Sequence, residues 1–323
     1  MKAVIIQNLR KSIIAPQIRF LQAIGVPYEI RNIRNIGQVE FGRLSREIAS
    51  KVEDWVMFTN GTDARDREMV NLIHEINPSK KMTFCEWGWL PYQKFFYLDH
   101  NGIGNNSEWF EKNADDLRSM RLADVDFAYF KKLTMSFLDT GGEKISGSLP
   151  KDYIMVPLQV EGDSKMVIGS PHFTVKEFVD YLIGVTPKNV TLVFRNHPHN
   201  KKPIAVPKAP NVIDISGRSV NKYDLISNAQ AVFGINSTLL LESMLLGKTV
   251  LSFGLDVFSD KGIVGSADIT KSFEDNLQVA LDSQSPTLAR IFLAHLMSRQ
   301  LPKDATVSFN YGKSYWAKEF KRV

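Results

Sequence analysis

The 323-residue chain reads as an α/β protein of two doubly wound domains, each a largely parallel sheet covered by helices on both faces. Three observations predict this. The length exceeds what one small core organises and suits two domains. Short apolar runs alternate with amphipathic stretches in both halves, the pattern of strand–helix–strand units. A glycine-bearing polar stretch, DTGGEKISGSLP, separates the two series as a linker would.

In the first series Ala3–Ile6 reads as a strand and Ile14–Ile24 as a helix stopped by Gly25 and Pro27. Tyr28–Ile33 is strand-like, Leu44–Val52 helical and Trp55–Phe58 again a strand. Asp63 caps a helix running to Ile76, where Asn77-Pro78 ends it. Lys81–Cys85 is the next strand. Residues 99–112, rich in Asn and Gly, read as a loop, and residues 134–150 as the linker. In the second series Tyr153–Leu158, Val190–Phe194, Val212–Ile215, Ala231–Phe233 and Thr249–Phe253 read as strands. Helices are expected over Val175–Ile183, Lys222–Asn228 and Ser237–Leu246, and three more helical stretches close the chain. The expected domains are 1–140 and 151–305, with 306–323 as a final helix packing back on the first domain. Two such domains place a cleft between the carboxyl ends of their sheets, where ligands of this architecture bind.

Composition narrows the function classes. The single cysteine, Cys85, excludes an internal disulfide and suits an intracellular, cytoplasmic chain. The apolar run at Ala3–Ile6 is too short for a signal peptide, and no run approaches the length that spans a bilayer. The net charge of +5 fits an anionic substrate, an anionic membrane face or nucleic acid, and equally a solvated basic surface. The basic residues form no stripe interleaved with aromatics, which argues against nucleic acid. The basic, aromatic end YGKSYWAKEFKRV suits peripheral contact with an anionic inner membrane face; packing on the first domain is the preferred reading.

Four segments carry candidate chemistry. In AVFGINSTLLLESMLLGKTVLSFG a buried strand runs into Asn236-Ser237-Thr238 and then a helix. The unpaired N–H groups of a helix start, with the two hydroxyls, suit a phosphate. Glu242, about one turn further on, suits ribose hydroxyls; a helix cap followed by an exposed glutamate is the equal alternative. In VTLVFRNHPHN, Arg195 suits phosphate pairing. His197, fixed by Pro198, suits a hydrogen bond or a proton to a leaving phosphate. His197 and His199 lack the further ligands of a metal site. In KMTFCEWGWLPY, Glu86 stands at the end of a strand, with Gly88 permitting a sharp turn. A carboxylate there suits a general base or a nucleophile. Trp87, Trp89 and Tyr92 offer flat faces for acceptor sugar rings, although aromatics after a strand more often pack. In PLQVEGDSKMV, Gln159 and Asp163 are placed to touch the donor or the acceptor, or equally to form a plain polar turn.

On Glu86-Trp87-Gly88, Gln159–Asp163, His197-Pro198 and Asn236–Gly254, in that order, the chain resembles the capsule polysaccharide biosynthesis family. That family includes bacterial β-Kdo transferases and is distantly similar to bacterial sialyltransferases. The resemblance implies a GT-B fold of two Rossmann-like domains, a nucleotide-sugar donor held by the second, a glycan or glycolipid acceptor, and no cofactor or required metal. CMP-Kdo is the donor it implies. His197 would contact the donor phosphate, Ser237 and Thr238 would bind it, and Glu86 would be the catalytic carboxylate. Trp87 departs from the acidic or amide residue frequent at that place in relatives. Asp124-Val-Asp126 matches the Asp-x-Asp pattern of metal-dependent glycosyltransferases but reads as a helix start. The rival functions are CDP-polyol phosphate transfer of the teichoic acid type, nucleotide-sugar epimerisation, and non-catalytic binding on the same scaffold.

Overall fold

A computed structural model describes residues 2–8, 11–52, 54–90, 94–121, 127–136, 142–170, 172–200, 202–303 and 311–321. The chain divides into two compact units. One comprises Met1–Glu108 with Leu296–Val323, the other Trp109–His295.

The first unit opens β1 (Ala3–Gln7), α1 (Lys11–Ile24), β2 (Tyr28–Asn32), α2 (Gln38–Ser50), β3 (Trp55–Thr59), α3 (Ala64–Ile76), β4 (Met82–Trp87) and β5 (Phe95–Asp99). The second follows with α4 (Glu108–Glu111), α5 (Ala114–Ser119), α6 (Phe127–Ser136), β6 (Ile154–Pro157), α7 (Ser164–Gly169), α8 (Val175–Val185), β7 (Leu192–Arg195) and β8 (Val212–Asp214). It continues with α9 (Lys222–Asn228), β9 (Ala231–Gly234), α10 (Thr238–Leu245), β10 (Thr249–Ser252), β11 (Gly265–Ser266), α11 (Phe273–Asp282) and α12 (Pro286–Ser298). β12 (Leu301–Pro302) and α13 (Tyr311–Lys321) return to the first.

The first sheet has the order β12-β5-β4-β3-β1-β2. The pairs β1–β2, β1–β3 and β3–β4 are parallel; β4–β5 and β5–β12 are antiparallel. Side chains alternate across its faces. Ala3, Ile5, Trp55, Met57 and Cys85 therefore meet Ile14 and Leu21 of α1 and Trp316 and Phe320 of α13 in one core. Asp63 caps α3 as expected, its carboxylate accepting the Arg65 N–H.

The second sheet is wholly parallel, in the order β11-β10-β9-β6-β7-β8. Renumbered within the unit, this is 3-2-1-4-5-6 read from β8, the dinucleotide-binding order. Its direction of winding reverses between β6 and β9. The α/β class and the doubly wound sheets follow the sequence expectation.

Three local differences have simple causes. β4 runs past Cys85 through Glu86 and Trp87, because β5 pairs with it: Phe84 lies opposite Asp99 and Trp87 opposite Phe96. β5 itself was not expected; its run FFYLD carries no alternation, being buried throughout. Within the stretch expected to be a loop, Asp99 accepts the backbone N–H groups of Asn101, Gly102 and Glu108, which winds 99–108 into an ordered turn. Within the stretch expected to be a linker, Glu143 pairs with Val220, and the Ile145 N–H donates to Asp224 at 3.0 Å. Among the described residues, no helix is long and apolar enough to cross a membrane.

Candidate functional site

In the second unit the polar segments gather at the carboxyl edge of the sheet. β6 delivers Gln159, β7 delivers Arg195 and His197, and β9 delivers Asn236 and Ser237, with β6 lying between the other two. The loops are tied to one another. Gln159 Nε2 donates to Asn236 Oδ1 at 2.7 Å, and its Oε1 accepts the Asn236 N–H at 2.9 Å. Asn200 Nδ2 donates to the Gln159 carbonyl at 3.1 Å. The Asn200 N–H donates to the His197 carbonyl at 2.9 Å. The His197 lip and the Asn236 turn are thus ends of one hydrogen-bonded chain.

The same bonds engage Asn236, from which a direct donor contact was expected. Its side chain is fully buried. Its Nδ2 already donates to the carbonyls of Lys165 and Leu255. An amide offers two donors and one acceptor oxygen, so this one is committed within the protein. Gln159 is committed in the same way. Both place the turn without presenting a group to solvent. Asp163 caps α7, accepting the Lys165 N–H at 3.0 Å, and Lys165 pairs with buried Asp256 at 2.8 Å.

Ser237 and Thr238 remain half-buried at the start of α10. The Ser237 hydroxyl accepts the Leu239 N–H at 3.2 Å. α10 is packed throughout, with Leu239 through Leu245 buried, Glu242 and Ser243 among them. Its polar start is therefore its open part, and the partial positive charge of a helix N-terminus is concentrated there.

Glu242 is likewise engaged within the protein. Expected to reach ribose hydroxyls, it is only 2% exposed. Lys222 Nζ lies 2.9 and 2.8 Å from its two oxygens, and the Tyr223 hydroxyl donates to Oε1 at 3.2 Å. Lys222 also stands 4.7 Å over the Tyr223 ring. The nearby Arg195 guanidinium forms no hydrogen bond or ion pair among the described residues. Burial lowers it from its ordinary value, and the charge of Glu242 opposes that shift. Two cations, Lys222 and Arg195, therefore stand near the Glu242 carboxylate, an arrangement suited to an added anion.

His197 is half-buried. Its Nδ1 accepts the His199 N–H at 3.2 Å, which leaves the proton of the neutral ring on Nε2. Burial lowers its pKa first, and the charges of His199, Arg195 and Lys222 add to that; Asp163 acts in the opposite sense. These shifts favour the uncharged ring, with Nε2–H as its donor.

In the first unit Glu86 is 7% exposed. Oε1 accepts the N–H of Trp87 at 2.8 Å, and Oε2 accepts Asn60 Nδ2 at 3.2 Å. It stands within β4, opposite Tyr97, and a turn begins two residues beyond Trp87, at Trp89. Gly88 donates its N–H to the Phe95 carbonyl at 2.8 Å. A Cβ there would come within 2.7 Å of Phe95 Cβ and Gln300 Oε1, so close strand approach is what requires a glycine.

The aromatic residues after Glu86 take different places. Trp89 is buried and stacked on Tyr97, ring centroids 3.7 Å apart, and therefore belongs to the core. Trp87 is half-buried against the first-unit core, with Lys303 Nζ 5.0 Å from its ring centroid. Tyr92, Asp124 and Asp126 lie outside the described residues. Among those described, no group of three His, Cys, Asp or Glu side chains is arranged to hold a metal.

Sequence reasoning missed Lys222 and Tyr223 as partners of Glu242, and Asn60 and Asn200 as supports of Glu86 and the His197 lip. No spacing rule links these positions. The nearest signal was Asn221 before Lys222, a helix cap.

Two Rossmann-like α/β units with parallel-rich sheets define a glycosyltransferase-like fold of the GT-B class. The chain aligns with Thermosulfurimonas dismutans KpsC, beta Kdo 2,7 transferase, at TM-score 0.61 and 17% identity, over 99% of this chain and 98% of that one. It aligns with the beta Kdo 2,4 transferase of the same KpsC at TM-score 0.55 and 14% identity, over 91% and 90%. At such identities the likeness is one of fold. The family model described as capsule polysaccharide biosynthesis protein matches residues 128–280, and the resemblance read from the sequence motifs is borne out. Protein FixF of Sinorhizobium fredii is 31% identical over 121 residues, 36% of this chain. The match spans 30% of the length of that relative.

Proposed function

We propose that the chain is a glycosyltransferase that moves Kdo, or a related acidic sugar, from a CMP-linked donor onto a capsule or other surface glycan acceptor at the cytoplasmic membrane face. The observation that carries this reading is the single hydrogen-bonded edge joining His197, Asn200, Gln159 and Asn236, with Arg195 beside it and the α10 N-terminus open next to it. The fold likeness to the two KpsC transferase structures and the family match over the second unit support the reaction class.

In this mechanism the donor phosphate sits on the start of α10, with the Ser237 and Thr238 hydroxyls as further donors. The bond from the anomeric carbon to the phosphate oxygen breaks, and CMP leaves with the electron pair. Arg195 and the His197 Nε2–H stabilise the charge that builds there, a preorganised electrostatic effect. Because these groups neutralise the leaving phosphate, transfer proceeds without a metal, and EDTA leaves the rate unchanged. Glu86 takes the proton of the acceptor hydroxyl if the anomeric centre inverts. If configuration is retained, it attacks the anomeric carbon itself. Gln159, Asn236, Asp163 and Glu242 hold the geometry.

The test is thermal stabilisation by CMP, CMP-Kdo, and UDP-, GDP- and CDP-linked compounds. A ligand at a hundred times its dissociation constant adds about 2.7 kcal/mol. CMP and CMP-Kdo are expected to raise the melting temperature of the wild-type chain and to lose that effect in Arg195→Ala. Stabilisation by UDP-linked sugars alone overturns the donor assignment. Stabilisation by CDP-linked polyols, with phosphorus in the product, overturns the reaction type.

A further inference from the structure

We infer that Asn60 is a positioning residue for Glu86, held by a left-handed turn so that its amide fixes the carboxylate; this rests on the catalytic reading of Glu86. The inference begins in the register of the first sheet. Ile6 pairs with Phe58, and Phe58 with Phe84. Two residues further along, Asn60 has just left the end of β3, while Glu86 still lies within β4. The Asn60 amide, not strand pairing, joins the two.

Its backbone has φ 47°, one of three non-glycine residues in the left-handed region among those described. Asparagine tolerates that region better than most residues, but a cost remains. The structure shows what the conformation achieves. Asn60 Oδ1 accepts both the N–H of Thr62 at 3.1 Å and its hydroxyl at 2.9 Å. With the oxygen so occupied, the amide has one orientation, and Nδ2 points to Glu86 Oε2 at 3.2 Å. Gly61 follows with φ 72°, and a Cβ there would collide with the Phe84 ring. The turn is seated directly on the strand that carries Glu86. The Asn60 N–H also donates to the Cys85 carbonyl at 2.8 Å, adjoining Glu86.

This arrangement separates backbone from amide experimentally. Asn60→Gly accepts the left-handed backbone without strain and removes only the amide. Asn60→Asp keeps the volume and the acceptor for Thr62, but turns an oxygen instead of a donor towards Glu86. Initial rates are measured on the full chain with CMP-Kdo and a Kdo-terminated glycolipid, beside Glu86→Gln. A misplaced reacting group costs up to about a hundredfold. Asn60→Gly is expected to lower kcat by on the order of tenfold to a hundredfold, with KM for CMP-Kdo near wild type and a melting temperature lowered by the lost Thr62 bonds. Asn60→Asp is expected to fall at least as far. If both variants keep kcat within about twofold while Glu86→Gln is inactive, the positioning role is overturned and the Glu86 reading stands. If Glu86→Gln is itself active, or the wild-type chain does not turn over CMP-Kdo, both fall together.

Discussion

Gln159 and Asn236 clasp each other, amide to amide and amide to backbone, at the point where the second sheet reverses its winding. That point is where open α/β sheets bind ligands. Here it is closed beneath by a pair that admits no solvent, and the half-buried Ser237, Thr238 and His197 stand around it.

Cutting this clasp is costly. Gln159→Ala leaves the Asn236 N–H and Oδ1 buried and short of partners, which costs about 1–3 kcal/mol. Chemical denaturation should show that loss, together with weaker stabilisation by CMP. A Gln159→Ala chain as stable as wild type would mean that the two amides are readily replaced by water.

Removing the imidazole should act on transfer and spare the fold. His197 is half-buried and its Nδ1 bonds only within its own loop, to the N–H of His199. His197→Ala is expected to lower kcat/KM by on the order of a hundredfold, with an unchanged circular dichroism spectrum. Near-wild-type transfer would remove His197 from the mechanism.

The titration of His197 has a definite sign. Burial and neighbouring cations hold its folded pKa below the ordinary value of about 6.5. Above that value both folded and unfolded chains carry the neutral ring. As the pH falls past it, the unfolded chain takes up the proton first, so stability is lost towards the lower, folded pKa. An NMR titration should place the His197 midpoint below that of a solvent-exposed histidine. Bound CMP should raise it, because an anion favours the charged ring.

Asp66 titrates in the opposite sense. Burial, and then the charge of Asp63, push its carboxyl up to about 7, against a hydrogen bond from Asn8. The folded chain therefore holds a proton that the unfolded chain releases near 4. The stabilisation is complete below that value and disappears as the pH rises through about 7. Asp66→Asn should raise the melting temperature at pH 8 and leave it almost unchanged at pH 4. An equal effect at both pH values would exclude ionisation as the cause.

The Lys222–Glu242 pair should behave as one unit. Lys222→Ala leaves a carboxylate 2% exposed with the Tyr223 hydroxyl as its remaining donor among the described contacts. The expected loss is about 3 kcal/mol. Adding Glu242→Gln should recover part of it, a non-additivity read from a double-mutant cycle. Strict additivity would show that the two charges do not interact.

Much of the architecture was legible in the chain itself. Apolar runs such as Ala3–Ile6 and Ala231–Phe233, and punctuation such as Asp63 and Asn77-Pro78, specify local structure, because caps and side-chain periodicity act over neighbouring residues. The order of the motifs around Glu86, Gln159, His197 and Asn236 likewise pointed to a family. Tertiary structure decided which of those polar side chains stay open. Asn236 and Glu242 look like ligand contacts in one dimension. In three they are consumed by Gln159, Lys222 and Tyr223, residues at least 19 positions away. Trp89 looks like a platform and is a core ring on Tyr97. Burying a polar group demands partners, and which partners arrive is settled by strand order and register, which local sequence does not encode.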